Sequence, residues 1–182
     1  NGEVLIENSS LVGSGRVIGD VRLDGVGLNS FGNYISGRIA PGDGFANPTS
    51  QTALIEIDGD LTMKAATLDL GLGGRSRGVD FDAVNVTGLA SLGGMLSISV
   101  LSGFAQSITA ADEFEVLHAA GGFVGEISNA VAGLRVSTTN GRASFLVSYR
   151  STTDGGASLF LSDYLPIPEP TSALLIGFGI AL

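Results

Sequence analysis

Ala53-Leu54-Ile55-Glu56-Ile57-Asp58-Gly59-Asp60-Leu61 sets the fold class of this chain. Its residues alternate, with Ile55 and Ile57 on one face and Glu56 on the other, which is the period of a strand with one side on a core. Gly59-Asp60 then interrupts the strand, and a new apolar run begins at Leu61. The same Gly-Asp pair precedes an apolar run at Gly19-Asp20-Val21. Short strand, glycine corner and short strand in succession suit a parallel solenoid. One rung cannot bury its inner face alone, so stacked neighbours supply the missing partner. Glycine at the corners admits backbone conformations that other residues resist.

Outward from this stretch, β-branched or Leu-rich runs closed by Gly, Asn or Asp predict strands at 4–7, 16–23, 34–39, 53–57, 60–63, 66–70, 82–86, 95–101, 114–118, 134–138, 143–149 and 157–161. Helical periodicity is almost absent, so the chain is all-β. The spacing of the runs is irregular, and a β-sandwich is the alternative to a solenoid. Thr139-Asn140-Gly141 lies between two of the strands and predicts an antiparallel hairpin, with positive φ expected at Asn140 and Gly141. A solenoid end exposes unpaired backbone groups and an apolar interior, so an antiparallel pair here would serve as a cap.

Composition narrows the function. The chain has 182 residues, 28 of them Gly, with no Cys and no Trp, and only 15% are charged, against about 25% in an ordinary soluble domain. Its formal charge of -9, with scattered arginines and one lysine, argues against nucleic acid as a partner. Without cysteine there is neither disulfide stapling nor a thiolate metal site.

The candidate chemistry is sparse. His118 is the only histidine and closes an apolar run, so it reads as a structural or edge residue. A zinc site needs further ligands, and no Gly-x-Ser-x-Gly elbow supports a Ser-His-Asp triad. Asp80 and Asp82 stand beside Arg75 and Arg77. Paired carboxylates of this kind can flank a glycosidic bond or bind Ca²⁺. The plainer interpretation is a turn in which Asp82 caps the corner before a strand, and no dedicated calcium motif is present. Gly13-Ser14-Gly15 lacks the Lys and helix of a phosphate loop and reads as a corner. No cofactor is expected.

Near the end, Pro166, Pro168 and Pro170 each fix φ and remove a donor, so this segment is not expected inside a sheet or helix. Residues 173–182 are apolar or Gly, including Ala173, Leu174, Leu175, Ile176, Phe178, Ile180 and Leu182. That run is shorter than the ~20 residues that cross a bilayer as a helix. Pro168-Glu169-Pro170, followed by Thr171-Ser172-Ala173-Leu174-Leu175, resembles the C-terminal sorting signal of PEP-CTERM proteins, which certain Gram-negative bacteria export. The resemblance implies a membrane tail and processing by a membrane-embedded exosortase. It departs from the pattern in lacking the rest of the helix and the basic end, and the chain opens on Asn1, so a longer protein is expected.

The body carries a second resemblance. Gly37-Arg38-Ile39-Ala40-Pro41-Gly42-Asp43, the 53–61 stretch, Phe81-Asp82-Ala83-Val84-Asn85-Val86-Thr87-Gly88, Leu92-Gly93-Gly94-Met95-Leu96, Ala111-Asp112-Glu113-Phe114-Glu115-Val116-Leu117 and Gly122-Phe123-Val124-Gly125 together resemble the terminal rungs of an autotransporter-type passenger or adhesin. This implies a right-handed parallel β-helix over 1–118, part of a longer passenger. An antiparallel cap would follow over 119–164 with its hairpin at 139–141, then a Pro-rich linker and membrane sorting tail over 165–182. The expected function is an exported, non-catalytic structural or adhesion module of a cell surface or extracellular matrix, transiently anchored in the inner membrane. Its expected partners are an exosortase, exopolysaccharide and neighbouring cells. The alternatives are a polysaccharide lyase or hydrolase on the same scaffold, and a sugar-binding β-sandwich.

Overall fold

A computed structural model describes residues 2–7, 9–25, 37–42, 52–101 and 103–168. The chain coils in rungs of three strands. The first rung is β1 (Glu3–Glu7), β2 (Ser10–Gly13) and β3 (Gly15–Ile18), and the second is β4 (Asp20–Asp24), β5 (Gly37–Pro41) and β6 (Leu54–Asp58). The third is β7 (Leu61–Met63), β8 (Ala66–Leu72) and β9 (Ala83–Val86), and the fourth is β10 (Ala90–Ser91), β11 (Met95–Val100) and β12 (Phe114–Ala119). β13 (Phe123–Val124) adds a last parallel strand before β14 (Arg135–Ser137), β15 (Ala143–Ser151) and β16 (Ala157–Pro166).

Corresponding strands of successive rungs pair in parallel and build three sheets, in the orders β1-β4-β7-β10-β13, β2-β5-β8-β11 and β3-β6-β9-β12. The third sheet continues through β16, β15 and β14, and these joins are antiparallel. This is a right-handed parallel β-helix with an antiparallel C-terminal cap. It removes the β-sandwich alternative, because the strands of 3–119 stack on their equivalents in the next rung and form no face-packed antiparallel sheets.

The core is a set of in-register ladders. Leu11, Ile39, Leu68 and Leu96 stack through the second sheet, and Val17, Ile57, Val86 and Ala119 through the third. Each fully buried Leu or Ile in such a ladder contributes on the order of 1.5–3 kcal/mol.

The Gly-Asp pairs are the corners between the third and first sheets. The predicted strand 16–23 is in fact broken at Gly19, whose φ of 126° separates β3 from β4. A Cβ there would lie 2.2 Å from the carbonyl oxygen of Gly2 in the rung above, so a side chain cannot enter. Asp60 N donates to Asp20 Oδ1 (2.9 Å), and Leu89 N donates to Asp60 Oδ1 (2.8 Å). Each aspartate thus ties its corner to the next rung.

The hairpin forms as predicted, with β14 antiparallel to β15 and Gly141 N donating to Thr138 O. Gly141 has φ 68°, but Asn140 does not adopt positive φ. Its side chain acts instead: Asn140 Oδ1 accepts from Thr138 Oγ1 and from Arg142 N. The exclusion of prolines from the sheet also needs correction, since Pro166 is the last residue of β16, opposite Ala143. At a strand end the missing N–H interrupts no ladder, and Ile167 N resumes bonding to Arg142 O. Pro168 is exposed and outside any strand. Glu169, Pro170 and the proposed membrane tail 173–182 lie outside the described residues.

Candidate functional site

The outer face of the third sheet gathers most of the chain's unusual side chains. Register places Arg16 of β3 beside Glu56 of β6, Asn85 of β9 and His118 of β12. These four, with Asp58 and Thr87, line a groove of about 370 Å³. Arg16 pairs with Asp58 at 2.6 Å, and Thr87 Oγ1 donates to the other oxygen of that carboxylate at 3.2 Å. Glu56 and Asn85 make no side-chain hydrogen bond among the described residues.

At one end of the groove a β-bulge rearranges the strand. Between Glu115 and Leu117 the pairing with β16 shifts by one residue, leaving Val116 as the extra one. Val116 and Leu117 are both buried. The bulge resets the alternation, so that Glu115 and His118 share the outer face. Ser158 Oγ, fully buried, donates to Glu115 Oε1 at 2.5 Å and lies 2.9 Å from His118 Nδ1. A hydroxyl has one proton to give, so His118 Nδ1–H is the donor to Ser158. Asp154 Oδ2, on the β15–β16 turn, sits 4.0 Å from Nε2.

Arg77 holds the other side of Glu115, donating to its carbonyl oxygen at 2.8 Å and approaching Oε2 at 3.3 Å. Burial lowers the pKa of this guanidinium, and the Glu115 carboxylate offsets part of that. Chemically, Ser158 is enclosed and its proton points at a carboxylate and away from the imidazole. The cluster is therefore a clamp that fixes the ring of His118.

The loop with Asp80 and Asp82 is built differently. Asp82 is buried, its two carboxylate oxygens accepting from Ala53 N and Gly71 N, both at 2.7 Å. It caps the corner before β9 and joins two rungs. Asp80 accepts from Ser76 N within its own turn, and hydrogen bonding to Ser76 holds its pKa below the ordinary value. Arg75 forms a two-pronged pair with Asp112, at 2.6 and 2.8 Å. That bond, with the Thr109 donors, keeps the Asp112 carboxyl far below the usual range despite partial desolvation. The four residues thus serve separate local contacts. Among the described residues, no group of three or more His, Cys, Asp or Glu could hold a metal ion.

The sequence marks His118, Asp80 and Asp82 as candidates and Glu56 as outward-facing, but only the register of the strands brings Glu56, Asn85, Glu115 and Ser158 to one face. The adjacent apolar pair Val116-Leu117, which breaks the alternation, was the available signal for the bulge. The class of protein defined here is a right-handed parallel β-helix with a polar groove along one outer face. No family model, curated protein or solved structure matches this chain. Among the described residues no helix is long and apolar enough to cross a membrane.

Proposed function

We propose that this chain is a non-catalytic structural or adhesion module of a bacterial cell surface or extracellular matrix. The observation that carries this is how the coil uses its charged and polar side chains. Asp20, Asp60 and Asp82 bond backbone N–H groups of a neighbouring rung, and Arg75 and Arg150 close pairs with Asp112 and Glu113 across the fold. A rod built this way gains rigidity from regular backbone pairing and presents little reactive chemistry. The likeness of Pro168-Glu169-Pro170 to a sorting signal supports export, transient anchoring in the inner membrane and processing by an exosortase. Exopolysaccharide and neighbouring cells are the partners that suit such a module.

The test is where the protein resides. Antibodies against the folded body should label intact producing cells or their surrounding matrix, and loss of the exosortase should hold the protein in the inner membrane. Label found only after the cells are lysed, with or without exosortase, would sink the proposal.

A further inference from the structure

The groove on the third sheet is more than the scaffold requires. The clamps described above stabilise the coil, whereas Glu56 and Asn85 point outward without a partner among the described residues. Arg16, Glu56, Asn85 and His118 repeat at the strand spacing of about 4.8 Å along the coil axis. Successive sugar units of an extended glycan advance by a similar step.

The donor and acceptor balance identifies the ligand class. Asn85 offers both donor and acceptor, Glu56 accepts, Arg16 has N–H groups beyond the one on Asp58, and His118 presents its Nε2 edge. Such a mixture matches hydroxyl groups, each of which gives and takes a hydrogen bond. A polyanion would meet one guanidinium against Glu56 and Asp58, with Asp154 at the His118 end, on a chain of net charge -9. We propose that this groove binds a neutral polysaccharide lying along the coil axis, with its hydroxyls on Asn85, Glu56 and His118. The proposal rests on the surface-module function above and names the matrix component that the module holds. The clamp of Ser158, Glu115 and Arg77 is a positioning device that fixes the imidazole at the end of the track.

Affinity electrophoresis of the purified chain tests this, in native gels containing dextran, laminarin, hydroxyethylcellulose or galactomannan, with alginate as the anionic probe. At least one neutral polymer should retard the protein, and alginate should not. Asn85→Ala and Glu56→Ala should each weaken retardation about tenfold, the loss expected for one hydrogen bond to a ligand, and the double variant should run as in an empty gel. Both residues lie outside the core, so the variants should keep the parent's denaturant midpoint. Retardation by none of the four neutral polymers, retardation unchanged in the double variant, or preference for alginate would each overturn the proposal. Surface labelling that persists while every neutral polymer fails would discard the groove and leave the module function standing.

Discussion

The first and the last described rungs of the coil are packed differently. At the far end, Phe114 meets Phe81, Phe104 and Phe145 edge to face, with centroids 5.3, 6.0 and 6.0 Å apart, and β15 and β16 extend the sheet beside them. Phe114 is 1% exposed. In the first described rung, β1, β2 and β3 have one neighbour each among the described strands; of their inward residues Ile6 is buried, whereas Val4, Leu11 and Val17 lie at or near the surface. Val4 is 38% exposed although its ladder partner Val21 is 1% exposed. The same inward position is thus core in one rung and rim in the next. Aliphatic side chains suffice where stacking continues on both sides. Beyond the fourth rung, larger rings and antiparallel strands close the coil.

The largest expected effect tests that contrast directly. Phe114→Ala should destabilise the protein by about 3–5 kcal/mol, because it empties a site enclosed by three other rings. Val4→Ala should cost about 1 kcal/mol or less, since its methyl groups are already partly in water. Denaturant midpoints of the two variants measure the gap. Similar losses in both would show that the first described rung is covered in solution, so that the two rungs do not differ.

Between the ends, the join from rung to rung depends on buried carboxylates. Asp82→Ala would leave Ala53 N and Gly71 N buried without their acceptor, at about 1–3 kcal/mol for each group. Its expected loss is of the same order as that of Phe114→Ala and well above that of Val4→Ala, read from the same unfolding curves. A variant with the parent's midpoint would show that Asp82 is not a rung clamp and would return it to the list of groups available for chemistry.

The sequence made some of this legible because the cause is local. Alternation in 54–57 fixed which residues of β6 face inward, and glycine followed by aspartate marked two corners before any rung was known. The strands β2, β10 and β13 were missed, since runs as short as Ala90–Ser91 have no periodicity and exist only through their stacked neighbours. The column of Arg16, Glu56, Asn85 and His118 was hidden for a related reason. Rung length varies, with 40 residues from Asp20 to Asp60 and 29 from Asp60 to Leu89, so no constant period aligns the four positions. The bulge at Val116 added a one-residue shift, and only the register of β12 with β16 exposes its effect on His118.

The smallest expected effect concerns the segment beyond the cap. The last strand ends at Pro166, and Arg135 fastens it there by donating to Ser144 Oγ at 2.9 Å and to Asp163 Oδ2 at 2.7 Å. Asp163 has φ 48°, and with Tyr164 it stands opposite Phe145, forming a bulge that bends the strand over the coil end. Tyr164 then packs on Phe145 with centroids 5.2 Å apart. Among the described residues the contacts of the cap are made by residues that precede the Pro-Glu-Pro triplet, and truncation after Pro168 should leave the thermal unfolding transition cooperative and at the parent's midpoint. Removing the apolar run of 173–182 should also raise solubility, because that surface costs about 25 cal/mol per Å² when left in water. Loss of the cooperative transition on truncation would make the tail part of the core, and the likeness to a sorting signal would then have no bearing on what this segment does.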